Sequence, residues 1–188
     1  MKSDSGQGIL TRWLKLLSVF LGALVLLVIL RDRLAYYEQL KGGRPIIEGI
    51  TAPDFELPTA TGDRIKLSRA GGRAIILFFF SPECSSCIDQ APYWSALKAD
   101  AKEDDVFLFG ICRSSPDAIE SFYSITHVRF PILMDDGDVI GKYDVKQLPK
   151  VVLVDHEGRV VFTNDNLPID ESLRIVRNKL EKLFASGL

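Results

Sequence analysis

"AIILFFFSPECSSC", residues 74–87, is the stretch whose reading decides the fold. Its first seven residues are continuously apolar, as expected of a strand buried on both faces. From Ser85 the spacing turns helical and runs to about residue 103, with Pro92 expected to interrupt it. Cys84 therefore falls where a buried strand gives way to a helix. In an α/β sheet that is the carboxyl end of a strand, where reactive groups gather. It is also a helix amino terminus, whose unpaired N–H groups favour an anion and so the thiolate of Cys84. Cys87 lies one turn further in, on the same side and more covered. One thiol is placed to attack and the other to resolve.

Outward from this stretch, strands and helices alternate. "DFELPTATGDRIKLS" (54–68) reads as a hairpin around "TATGD", and "VFLFGIC" (106–112) as a second buried strand. "SPDAIESFYSIT" (115–126) is a helix with Ser115 as its cap. "FPILMDD" is a short strand, "GDVIGKYDV" a short helix, and "KVVLVDHEGRVVF" two antiparallel strands about a turn. "ESLRIVRNKLEKLF" closes the chain as an amphipathic helix, with Leu173, Val176, Leu180 and Leu183 on one face. The fold class expected is α/β, a mixed central sheet with helices on both faces.

Before this domain, Leu16 to Leu30 is fifteen residues without a charge, rich in Leu and Val. Such a run makes roughly 22 Å of helix, and counting from Leu10, with Arg12 and Lys15 snorkelling, brings it to the ~30 Å of a hydrocarbon core. The residues that follow, "RDRLAYYEQ", offer no small-x-small cleavage site. The chain is thus expected to comprise a basic segment 1–15, one transmembrane anchor 16–30, a stem 31–45 ending at Gly42, Gly43 and Pro45, and a globular domain 46–188. Basic residues flank the anchor almost equally, so charge does not orient it. The domain carries 16 Lys and Arg against 22 Asp and Glu, a net charge of −6. An acidic domain of this kind does not suit nucleic acid.

A close cysteine pair could be a structural staple, a metal ligand set or a redox couple. A disulfide closing so short a loop gains only about 2 kcal/mol, against about 3 for a 15-residue loop. Zinc needs four ligands, and the remaining candidates, Cys112, His127 and His156, are scattered singly. Redox exchange fits best, and it needs neither a metal nor an organic cofactor.

From about Gly49 onward the chain resembles the membrane-anchored thioredoxin-like proteins of the TlpA/ResA group. "APDFEL", Gly62 and "LS" at 67–68 match the family's opening, "ILFFFSPECSSC" its strand and cysteine pair, Pro92 its helix proline, and Tyr143 to Gly158 its late segment. The "SP-x-C" form and the "LP" dipeptide are similar to the subgroup associated with methylamine utilisation. The resemblance implies a thioredoxin-like fold and a monomeric thiol–disulfide oxidoreductase. It implies protein dithiols or disulfides as substrates and a membrane or exported dithiol protein as electron partner. The domain would face the periplasm or another extracytoplasmic space, in a setting such as cytochrome c maturation. It further implies that Pro149 is cis beside the cysteines and that Leu148 offers backbone groups to a substrate strand.

Two departures from the family bear on proton transfer. Thioredoxin carries a buried acid where this chain has Phe78, and the anchored family often has Glu where this chain has Gln90. Asp89 and Glu83 are expected to be exposed charges, Cys112 a buried inert thiol, and His127 and His156 surface residues. Two further functions compete, as does a redox-inert interaction domain with a vestigial cysteine pair. A peroxiredoxin pattern is half met, by Ser81, with Leu77 standing where proline belongs. A copper-delivery protein of the SCO type would match "VDH" (154–156) but spaces its cysteines by three residues.

Overall fold

Ala74–Phe79 forms the central strand, and all six of its residues are buried. In the computed structural model, which describes residues 13, 16, 20–31, 46–101, 105–164 and 167–185, this strand is β3 of seven. The others are β1 (Glu56–Pro58), β2 (Arg64–Lys66), β4 (Val106–Cys112), β5 (Ile132–Met134), β6 (Lys150–Asp155) and β7 (Val160–Thr163). After residue 43, four α-helices are described in chain order: α1 (Ser85–Asp100), α2 (Pro116–Thr126), α3 (Asp138–Lys142) and α4 (Ile169–Ala185). The main sheet has the order β5-β4-β3-β6-β7. β4 lies parallel to both β3 and β5, while β6 runs antiparallel to both β3 and β7. β1 and β2 form a separate antiparallel hairpin.

The alternation of side chains along β3 splits the core in two. Ile76, Phe78 and Phe80 pack with Trp94 of α1, Phe122 of α2 and Val176 of α4. Ile75, Leu77 and Phe79 pack with Leu57 of the hairpin, Val139 of α3 and Tyr143. Helices cover both faces, but unequally: three long ones on the first, and a five-residue helix beside the hairpin on the second.

One expectation needs correction. α1 runs unbroken through Pro92. Its buried positions Cys87, Ala91, Trp94 and Leu97 keep one face on both sides of the proline. That continuous packing outweighs a cost of about 3 kcal/mol for an interior proline.

Gly110, in the middle of β4, is forced by a close approach. A Cβ there would lie 2.9 Å from the Phe80 ring, 3.0 Å from Phe130 and 3.1 Å from Ile132. Gly110→Ala should therefore lower stability by about 1–3 kcal/mol, read as an earlier urea midpoint. An unchanged midpoint would mean that these rings move aside freely.

The chain divides into two compact units, residues 1–42 and 43–188. Of the first, residues 20–31 are helical and their large apolar side chains are exposed, Phe20 by 79% and Leu27 by 66%. Among the described residues no helix is long and apolar enough to cross a membrane. Residues 17–19 of the expected anchor, and 32–45 of the expected stem, lie outside the described residues.

Candidate active site

The loop from β3 to α1 is built by backbone hydrogen bonds. Phe80 N–H donates to the Ile111 carbonyl at 3.0 Å, extending the parallel ladder past the end of β3. Cys84 N–H donates to the Ser81 carbonyl at 3.1 Å, turning the chain. Cys84 is then the N-cap of α1, with extended dihedrals of φ −81 and ψ 113. Its carbonyl accepts from Cys87 and Ile88, each at 3.0 Å. Its sulfur accepts from the Cys87 N–H at 3.3 Å. A sulfur thus occupies the place usually held by a capping oxygen, and the first turn of the helix aims an N–H at it.

The two thiols differ in cover. Cys84 is half-buried, whereas Cys87 is fully buried under the inner face of α1. Burial pushes the Cys87 thiol up to about 12, and the adjoining Cys84 sulfur adds to the shift. One thiol is reachable and receives a helix N–H; the other is buried and holds its proton.

Leu148–Pro149 is a cis peptide bond, as the resemblance implied. Lys150, the next residue, pairs with Phe79 at the end of β3, which brings Pro149 to the place where the cysteine loop leaves the sheet. Ser86, Gln90, Leu148, Pro149, Ile47 and Asn164 line a groove of 540 Å³. The four groups expected to serve the site, Cys84, Cys87, Leu148 and Pro149, therefore converge on one end of the sheet. Among the described residues neither the N–H nor the C=O of Leu148 has a hydrogen-bond partner. Ile47 and Asn164 were not legible as groove residues: they come from the domain entrance and the end of β7, and nothing local in their sequence marks them.

Neither Phe78 nor Gln90 offers a carboxylate to the cysteines. Phe78 is fully buried, and its ring stacks on Phe80 with centroids 5.3 Å apart. Gln90 Oε1 is buried with no hydrogen-bond partner among the described residues. Glu83 and Asp89 are exposed. The Ser81 hydroxyl donates to Glu83 and holds its carboxyl below the usual range.

Cys112 ends β4 fully buried, and burial pushes its thiol up to about 12. His127 is exposed at the carboxyl cap of α2, and His156 is exposed in the turn between β6 and β7. Cys112→Ala should leave disulfide-exchange rates within a few-fold of wild type. A loss matching that of Cys84→Ser would make Cys112 a third redox participant.

Residues 49–163 match the family model described as the AhpC/TSA family. The chain belongs to the AhpC/TSA family. Within that family it is similar to the thiol–disulfide oxidoreductase ResA of Bacillus subtilis (strain 168). The two are 32% identical over 142 residues, covering 74% of this chain and 79% of the relative. A secreted disulfide oxidoreductase of Mycobacterium tuberculosis is 27% identical with a TM-score of 0.56, over 64% of this chain and 92% of that one. The thioredoxin domain of a thiol–disulfide oxidoreductase from Bacteroides vulgatus shares the fold at a TM-score of 0.65 and 20% identity, over 72% and 99%. This AhpC/TSA member is a ResA-like, thioredoxin-fold thiol–disulfide oxidoreductase.

Proposed function

We propose that the chain exchanges two electrons with protein dithiols and disulfides, Cys84 attacking and Cys87 resolving. The carrying observation is the asymmetry of the pair: the Cys84 sulfur receives a helix N–H at 3.3 Å, while Cys87 lies fully buried beneath it. The Cys84 thiolate attacks one sulfur of a partner disulfide. That bond breaks, and the departing sulfur takes a proton from solvent. Cys87 then gives up its proton and attacks the Cys84 sulfur, breaking the mixed disulfide and releasing the second partner thiol. The chain is left with a Cys84–Cys87 disulfide, and the partner is reduced by two electrons. The same steps run backwards with a dithiol partner. Leu148, whose backbone is unpaired among the described residues, would hold the partner as an added strand. No step calls for a metal or an organic cofactor.

Peroxide is a poorer substrate for this site. Leu77, where the peroxidase pattern has proline, is buried mid-strand in β3 and paired on both sides, a place proline tolerates badly.

We further propose that residues 16–30 anchor a monomeric chain in the cell membrane with the domain in an extracytoplasmic space. The electron partner would be a membrane or exported dithiol protein, and the setting cytochrome c maturation. The uncharged run and the exposed apolar side chains of residues 20–30 support an anchor. The test is protease added to spheroplasts: a fragment beginning within 31–45 should be released, and full protection of the domain would sink the topology. The exchange itself is tested by the full chain reducing a disulfide-linked protein in the presence of a dithiol. No catalysis there would refute the redox reading.

A further inference from the structure

Exposed large apolar side chains gathered at one place on a folded domain mark a surface that meets something. Among the described residues of the 43–188 unit, four are exposed: Ile47 (58%), Tyr93 (57%), Ile125 (60%) and Leu148 (39%). Two of them, Ile47 and Leu148, line the groove beside the cysteines. Tyr93 stands three residues beyond Gln90 and seven beyond Ser86 on α1, and those two residues line the same groove, so the helical repeat puts Tyr93 on its rim. Two of the four exposed apolar side chains thus line one groove at the reactive end of the sheet, and a third continues the α1 stripe that borders it.

The charges there do not ask for a charged partner. Lys146 is paired with Asp144 at 3.1 Å, and Lys150 is buried at 6% exposure. What the groove offers is apolar surface and the backbone of Leu148, unpaired among the described residues.

We infer that the groove selects its partner: an extended protein segment whose reactive cysteine is flanked by a large apolar residue rather than by a charge. This rests on the proposed role of Cys84 and narrows its substrate class. The flanking side chain packs between Ile47, Tyr93 and Leu148, while the segment's backbone pairs with Leu148. Such packing is present when Cys84 attacks, so it appears in the rate of mixed-disulfide formation. In that step the Cys84 thiolate bonds to the peptide sulfur, and the other sulfur of the peptide's disulfide leaves as a thiolate.

The test uses the full chain with Cys87→Ser, so that reaction stops at the mixed disulfide. Synthetic peptides carry one cysteine in disulfide linkage to a coloured aromatic thiol, flanked by Leu, Ser, Asp or Lys. The Leu peptide should release the thiol at least about tenfold faster than the others. In the Ile47→Ser, Tyr93→Ser double variant the ratio of Leu to Ser peptide should fall toward one, and in Ile125→Ser it should persist. Equal rates, a preference for Asp or Lys, or a ratio that survives the double variant would each overturn the inference. The symmetric aromatic disulfide, without peptide, separates this failure from a deeper one. If it reacts and the peptides do not discriminate, only the selection is wrong. If it is inert, Cys84 is not the nucleophile and the inference falls with it.

Discussion

Cys87→Ser should accumulate a mixed disulfide with the chain's partner, visible on a non-reducing gel, and Cys84→Ser should accumulate none. Both variants should lose steady-state exchange by at least about a thousandfold, because a nucleophile and its resolving partner act as a unit. The two losses nevertheless have different causes. Without Cys87, the reachable Cys84 still attacks, but the bond it forms has no internal thiol to break it. Without Cys84, the remaining thiol is fully buried and pushed up to about 12, so neither access nor ionisation allows it to substitute. Purification of the trapped species names the partner. Adducts with Cys84→Ser instead would reverse the assignment, and adducts with neither would count against redox exchange as a whole.

What made this site legible is that strand, turn and helix signals are local. The apolar run into Cys84, the helical spacing after it and the hydroxyl cap at Ser115 each depend on neighbours within a few residues, and each stands where the pattern put it. The cis bond before Pro149 was legible only through resemblance, since composition alone gives no isomer. Features set by tertiary packing were harder to read. Pro92 reads as a break, but the inner face of α1 is held by contacts from distant strands and helices, which keep the helix intact. The groove was invisible for the same reason. Ile47, Gln90, Leu148 and Asn164 come from four separate parts of the chain, and only the sheet order, with β6 next to β3, brings them together.

The buried thiols also make the protein sensitive to alkali, in a direction that can be worked out. Cys87 and Cys112 both rise from the usual thiol value of 9.0 to about 12, chiefly through burial. A raised value means that the folded chain holds the proton more tightly than the unfolded chain does. The stability this contributes is therefore complete below pH 9 and is lost as pH climbs from 9 through about 12. In the oxidised chain Cys87 has no proton to lose, so only the Cys112 contribution fades. Urea unfolding at pH 7, 9 and 11 should show the reduced chain losing more stability with pH than the oxidised one, and Cys112→Ala should flatten both curves. Parallel curves for the two redox states would show that Cys87 is not buried as a thiol. The same shift governs rate. Resolution follows the thiolate fraction of Cys87, so below pH 12 it should quicken about tenfold per pH unit if only solvent takes the proton. Gln90→Glu puts a carboxylate one turn beyond Cys87, where a base can take that proton. Near neutral pH it should raise the resolving rate by about a hundredfold and flatten the pH dependence. A Gln90→Glu rate equal to that of wild type from pH 6 to 9 would mean that Glu83 or Asp89 already carries the proton away from Cys87.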